Sequence, residues 1–327
     1  MTPARRALVV GIDNYISYNN LAGCVNDARA LAPVLARNED DSPNFEVRTL
    51  TAPATTGRVT RDELLEALDQ LFAPGADMSL LYFAGHGAQV GDGGDVVLVT
   101  TDATRQTPGV RFTEIMERVN DCTHEVAVIL DCCFSGGAGG VPAAMSQGAI
   151  LRQGVSMLTA SRADQTSAET LDGRGQFSAY LEGALEGGAA DVLGHLTLAG
   201  LYAYLSEAFG TWDQRPMFKA NVDRLQDIRR CDPSVPLETL RQLPVWFPEA
   251  DALFALDPTY EPDKRESNLP PNPEHEGIFK QLQKCQSAKL VEPAGAEHMY
   301  FAAMQSQACR LTPLGRHYHH LASAGRI

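Results

Sequence analysis

The stretch Glu125-Val-Ala-Val-Ile-Leu-Asp131-Cys132-Cys133-Phe134-Ser135-Gly136-Gly137 constrains the fold more than any other. Its apolar, β-branched run breaks off into an acid, two thiols and a pair of glycines. A run that short and that β-branched reads as a buried central strand, and the glycines mark where the chain turns. In open α/β sheets functional side chains gather at the carboxyl ends of strands. Taken alone, two cysteines at such an end are small buried apolar residues. A second stretch shifts that weighing: Leu80-Leu81-Tyr82-Phe83-Ala84-Gly85-His86-Gly87 is again an apolar strand-like run, and it ends in Gly-His-Gly.

Around these two runs the chain alternates. Ala7 to Asp13 reads as a buried strand and Asn26 to Arg37 as a helix; Phe45 to Leu50 is a second strand. Thr60 to Phe72 follows as a helix with Thr60 as cap and Glu63 at the capping-box position. Met78 to Ala84 is the third strand. Gly91 to Gly94 then reads as a turn between Ala88–Val90 and Val96–Thr100, a small hairpin. After a helix over 112–119 come the strand at 125–131, a strand at 155–160, helices at 177–185 and 198–209, and a short extended piece at 215–218. This alternation predicts an α/β fold with a mostly parallel sheet flanked by helices. The glycine-rich, uncharged stretch from Gly136 to Gly148 reads as a loop.

Past residue 225 the pattern changes. Residues 226–272 are rich in proline and acids and read as a linker or covering segment. Residues 273–327 regain a helix at 278–291, a strand at 299–303 and a helix at 311–321, an order similar to a winged-helix module. The domain expectation is therefore 1–225, 226–272 and 273–327.

Charge narrows the partners. The formal net charge is −14, which opposes broad binding to nucleic acid or anionic lipid and favours a cationic substrate. Residues 273–327 carry six Lys/Arg against four Glu, a surplus of +2 too scattered for a DNA face, so a protein-docking or regulatory role is expected there and nucleic acid is not. Seven cysteines without Cys-x-x-Cys spacing read as reduced thiols, and no apolar run is long enough for a signal peptide or membrane span; a cytoplasmic protein with no membrane partner is expected. No cofactor or metal is predicted, since the Asp92/Asp95 turn lacks a calcium-ligand ladder and neither His124-Glu125 nor His275-Glu276 has a second histidine at zincin spacing.

The chemistry rests on His86 and Cys133. A thiol attacks as thiolate and needs an imidazole to take its proton and return one to the leaving amine. Two adjacent parallel strands bring such a pair side by side, with the backbone N–H groups of Gly87 and Cys133 as the oxyanion hole. Tyr82-Phe-Ala-Gly-His86-Gly87 with Asp131-Cys-Cys133-Phe-Ser-Gly136 resembles the metacaspase and caspase-like cysteine peptidases, in which Ser-Gly-His-Gly precedes Asp-x-Cys-x-Ser-Gly. The His86-to-Cys133 separation of 47 residues agrees with a caspase spacing of about 50. Val9 to Asp13, Gly23 to Ala28, Ala160 to Glu169 and Gln214 to Pro216 fit the same family, so the resemblance covers roughly residues 5 to 222.

The resemblance implies a Cys133–His86 dyad and a pocket for a basic P1 residue formed by Asp27 and Asp131, with Cys24 nearby. It implies cleavage of protein substrates after Arg, and secondarily Lys, by limited proteolysis in signalling, defence or cell death. Carboxylates beside the nucleophile are what a guanidinium requires. Ala84 and Phe134 depart from the family's usual serine and histidine. Arg152, just past the small-residue loop, is the expected processing site. An inactive caspase-like scaffold and a DNA-binding regulator acting through the C-terminal region are the alternatives.

Overall fold

The computed structural model describes residues 4–90, 95–104, 106–135, 150–160, 173–209, 216–223, 226–263 and 269–327, with backbone alone at 90 and 133–135. The expected loop from Gly136 to Gly148 and most of the Ala160–Glu169 and Gln214–Pro216 motifs lie outside the described residues. The chain divides into two compact units, residues 1–190 with 195–232, and residues 191–194 with 233–327.

Unit 1 begins with β1 (Arg5–Ile12), α1 (Cys24–Ala36), β2 (Glu46–Ala52), α2 (Arg61–Leu71), β3 (Met78–Val90), β4 (Asp95–Val99), β5 (Gly109–Arg111) and α3 (Phe112–Asp121). It continues with β6 (Glu125–Ser135), β7 (Val155–Thr159), α4 (Gln176–Gly183), β8 (His195–Thr197), α5 (Leu198–Ala208), β9 (Met217–Asn221) and β10 (Asp227–Arg230). The main sheet runs in the order β2-β1-β3-β6-β7-β9. Every pairing along it is parallel except β7 with β9. The expected hairpin is present where β4 runs antiparallel to the end of β3, with Ala88 opposite Val97. A separate antiparallel pair, β8 with β10, has no counterpart in the expectations.

The apolar character of the central strands follows from cover on both faces. Val126, Val128, Leu130 and Cys132 of β6 pack in one core with Leu64 and Leu68 of α2 and Ile115 of α3. Ala127 and Ile129 pack in the other with Ala28, Leu31 and Leu35 of α1 and Phe177 and Leu181 of α4. The cap expected on α2 forms: Thr60 Oγ1 accepts the Glu63 N–H at 3.2 Å, and Glu63 Oε2 accepts the Thr60 N–H at 2.8 Å.

One difference from the sequence expectation bears directly on the site. The strands do not stop at Ala84 and Asp131. β3 runs on to Val90 and β6 to Ser135, and the ladder between them continues through Ala88 and Ser135. Gly-His-Gly therefore lies inside a strand, paired with β6 along its length and, at Gly87, with β4 as well.

Unit 2 contains α6 (Leu237–Trp246), β11 (Leu253–Ala255), α7 (Pro273–Ser287), β12 (Val291–Ala294), α8 (Met299–Met304), β13 (Ala308–Leu311) and α9 (Pro313–Ser323). Its strands form an antiparallel sheet in the order β11-β13-β12. Two expectations need correcting. The proline-rich stretch over 226–272, expected as a linker or covering segment, supplies β10, α6 and β11, and Leu240, Leu243, Trp246 and Phe247 belong to the unit 2 core. Its prolines mislead because Pro236 stands at a helix N-cap, where a missing N–H costs little. Met299–Ala303, expected as a strand, is helical in α8: Met299, Ala302 and Ala303 are buried and Phe301 is exposed, a helical spacing.

Candidate active site

β3 and β6 set the site by register. His86 pairs with Cys133 on one rung of their parallel ladder, with Gly85 opposite Cys132 and Gly87 opposite Phe134. Cys132 is buried in the hydrophobic core together with Leu130 and Val128 of its own strand. Gly87 also pairs with Leu98 of β4, so it sits within the sheet and not in a loop following the histidine.

The segment after β1 holds His86 in place. Its Nε2 lies 2.8 Å from the Asn19 carbonyl oxygen. A carbonyl only accepts, so the shared proton belongs to Nε2 and the lone pair to Nδ1. The Tyr15 hydroxyl accepts the His86 N–H at 2.8 Å and donates to the Ile12 carbonyl at 3.0 Å. The Tyr15 ring centroid lies 4.7 Å from the imidazole and that of Tyr18 5.8 Å. Burial lowers the His86 pKa below its ordinary 6.5, with the Asn19 carbonyl acting in the opposite direction. Gly85 makes room for this arrangement, since a Cβ there would stand 2.6 Å from the Tyr15 hydroxyl.

α1 delivers the first acid. Asp13, just past β1, accepts the N–H groups of Gly23 at 3.2 Å, Cys24 at 3.0 Å and Val25 at 3.3 Å. One buried carboxylate thus satisfies the donors that a helix leaves open at its start. Asp27 sits in the first turn of that helix and is 2% exposed; Asp131, at the end of the apolar run of β6, is 8% exposed. The start of α4 brackets both. The Gly175 N–H reaches Asp27 Oδ2 at 3.1 Å, and the Ser178 hydroxyl donates to Asp131 Oδ2 at 2.6 Å, with the Tyr82 hydroxyl 2.5 Å from Ser178 Oγ. A Cβ on Gly175 would lie 3.0 Å from Asp27 Oδ2 and 3.1 Å from Asp131 Oδ2, so the two acids converge where that residue has no side chain.

The electrostatics follow from this convergence. Burial raises Asp27 to about 6, the Asp131 charge adds to the rise, and Arg174 and the Gly175 N–H oppose it. Burial, followed by the carboxylates of Asp13, Asp131 and Asp27, pushes the Cys24 thiol well above its ordinary range. Cys24 is therefore a protonated neighbour of the acids.

The structure brings together His86, the Cys133 backbone, Asp27, Asp131 and Cys24 at one end of the sheet. Arg152 is elsewhere. Its guanidinium donates to the carbonyls of Val119 at 2.6 Å, Gln153 at 2.6 Å and His124 at 2.8 Å, and lies 3.1 Å from Cys122 Sγ. Chain cleavage after Arg152 has to break these contacts first. Sequence reasoning missed Asn19, which acts through its main chain, and Tyr15, Ser178 and Arg174, which lie far along the chain from the residues they touch. Among the described residues no group of three His, Cys, Asp or Glu is placed to hold a metal ion, and no helix is long and apolar enough to cross a membrane.

The family described as Caspase domain matches residues 4–223, more than half of the chain. Metacaspase-1 of Schizosaccharomyces pombe is 27% identical over 161 residues, 46% of this chain and 38% of that protein. Metacaspase-7 of Arabidopsis thaliana is 27% identical over 148 residues, 41% of this chain and 35% of that one. The matches thus span under two fifths of the length of these relatives. A crystal structure of a protein from Geobacter sulfurreducens superposes with a TM-score of 0.53 at 16% identity, covering 70% of this chain and 100% of that one, a likeness of fold.

Proposed function

The chain belongs to the caspase-domain family, and from that membership we propose that it is a cysteine endopeptidase cutting after basic P1 residues, Arg foremost. The observation that carries the reading is the shared rung of His86 and Cys133, with the Asp27/Asp131 pair at the same end of the sheet. Residues two apart on a strand share a face, which puts position 133 in phase with Asp131.

His86 Nδ1, its lone pair exposed by the Nε2–H bond to Asn19, takes the Cys133 proton. The sulfur adds to the scissile carbonyl carbon, and the oxyanion faces the backbone N–H of Cys133; Gly87, paired on both sides within the sheet, is set aside as the second donor. The imidazolium, steadied through Nε2–H by the Asn19 carbonyl, protonates the leaving amine as the C–N bond breaks. Water then attacks the thioester with Nδ1 again as base, releasing the carboxylate product and the thiol. The carboxylates of Asp27 and Asp131 receive the P1 guanidinium or ammonium. The role is limited proteolysis in a signalling, defence or cell-death response, on protein substrates with exposed basic sites.

A fluorogenic peptide panel varying P1 (Arg, Lys, Asp, Leu) tests this against wild type, Cys132→Ala, Cys133→Ala and Asp131→Asn. Cys133→Ala should lose at least about a thousandfold in kcat, as removal of a nucleophile does elsewhere; Cys132→Ala should keep activity, and Asp131→Asn should lose Arg over Leu selectivity. Activity surviving in Cys133→Ala and vanishing in Cys132→Ala refutes the assignment. A preference for P1 Asp refutes the pocket.

A further inference from the structure

The acid pocket already contains a guanidinium of the chain's own. Arg174, immediately before α4, places Nε 2.6 Å from Asp27 Oδ1 and Nη1 2.5 Å from Glu182 Oε2. Its side chain is only 16% exposed. The next residue closes the grip, with the Gly175 N–H on the other Asp27 oxygen at 3.1 Å and no Cβ to separate the two acids. On the other side of the segment, Asn26 Nδ2 reaches the Gly173 carbonyl at 3.4 Å. Asp131 Oδ2, beside it, accepts the Ser178 hydroxyl.

A guanidinium on Asp27 is the interaction that a P1 arginine would bring. We propose that Arg174 is an internal competitor for Asp27, a tethered guanidinium that a basic P1 side chain has to displace, and so a residue that sets how strongly the pocket selects arginine; this rests on the basic-P1 reading above.

The chemistry of an exchange explains why the resident need not exclude the substrate. Asp131 stands beside Asp27 as a second carboxylate of the pocket, so an incoming guanidinium is drawn to the pair and not to Asp27 alone. Glu182 holds the same guanidinium through Nη1 from eight residues along, on α4 itself, and so helps to keep Arg174 on Asp27. What the incoming arginine gains at Asp27 is therefore only the difference between two similar charge-assisted pairs. The raised Asp27 pKa fits a carboxylate whose resident partner only partly offsets its burial and its acidic neighbour.

The test measures kcat and KM for peptides identical except at P1 (Arg, Lys, Leu) in wild type, Arg174→Gln and Glu182→Gln. Arg174→Gln should lower KM for the P1-Arg peptide by about two- to fivefold, the scale of one ion pair, and raise the Arg-to-Leu ratio of kcat/KM. Glu182→Gln should move the same ratio in the same direction by less, because it removes one of the two anchors of Arg174. If Arg174→Gln proves unfolded by its thermal melt, Glu182→Gln decides. Unchanged or raised KM for P1-Arg in the folded variants, with wild type still preferring Arg, overturns the inference alone. A non-basic P1 preference in wild type and variants alike overturns the pocket reading, and this inference with it.

Discussion

Tyr15 supports His86 in two ways, through its hydroxyl on the backbone N–H and through its ring beside the imidazole. Tyr15→Phe keeps the ring and strands both the His86 N–H and the Ile12 carbonyl, a cost of about 1–3 kcal/mol for buried groups. The expected result is a lower melting temperature and a kcat reduced by about tenfold with KM nearly unchanged. A melting shift without any change in kcat would show that the hydroxyl only stabilises the fold. The acid limb of activity tests Asp27. Its pKa is raised to about 6, so below that pH it becomes neutral and loses its hold on a guanidinium. His86 titrates below 6.5 and stays a competent base over much of the same range. The ratio of kcat/KM for P1-Arg to P1-Leu peptides should therefore fall as pH drops through about 6, and a ratio flat across that interval contradicts the role given to Asp27. At this scale the candidates His86, Cys133 and Asp131 stand out in the sequence because they close apolar strand-like runs, whereas Asp27, in the first turn of α1, is a candidate only through the family resemblance. Asn19 does not stand out, since it contributes a carbonyl that every residue has. Arg174 was hidden because 147 residues separate it from Asp27.

Among the elements, α1 has the narrowest tolerance. Gly11 of β1 lies against the first turn of α1, where a Cβ would collide with the Cys24 carbonyl and stand 2.8 Å from the Ala28 side chain. Gly11→Ala has to push the helix off the sheet at the turn that carries Asp27, costing about 1–3 kcal/mol as overpacking does. Thr60→Ala, which removes the cap of α2, should cost about 1 kcal/mol. The two differ in their second readout: P1-Arg KM should rise in Gly11→Ala and stay unchanged in Thr60→Ala. Equal effects on KM would mean that stability loss alone explains the first. Helix α2 was fully legible because its cap, box and spacing are local. The Met299 run was misread because a helix as short as α8 supplies too few residues to display its period, and the continuation of β3 through His86 was hidden because its rungs with β6 join residues 47 apart in sequence, as Ala88 with Ser135.

For the whole molecule, the two units have separate cores. Every residue in the two clusters of unit 1 precedes residue 232, and the unit 2 cluster begins at Val235, with Val192 and Leu193 packed against it. A chain ending at Asp232 should unfold cooperatively and keep P1-Arg cleavage within about threefold, as an independent domain would; circular dichroism melts and the same peptide assay check both. A non-cooperative melt would mean that the first unit cannot stand without the second. Apart from residues 191–194, the family match over residues 4–223 falls inside this first unit. The rung shared by His86 and Cys133 also bears on how such a chain can change over generations. Main-chain hydrogen bonds are indifferent to side-chain identity, so the ladder works as a ruler that keeps the two positions level while the letters around them drift. Ala84 and Phe134 depart from the family's usual serine and histidine without disturbing the rung, whereas one residue inserted in either strand between the rung and Met78 or Glu125 would put positions 86 and 133 out of register.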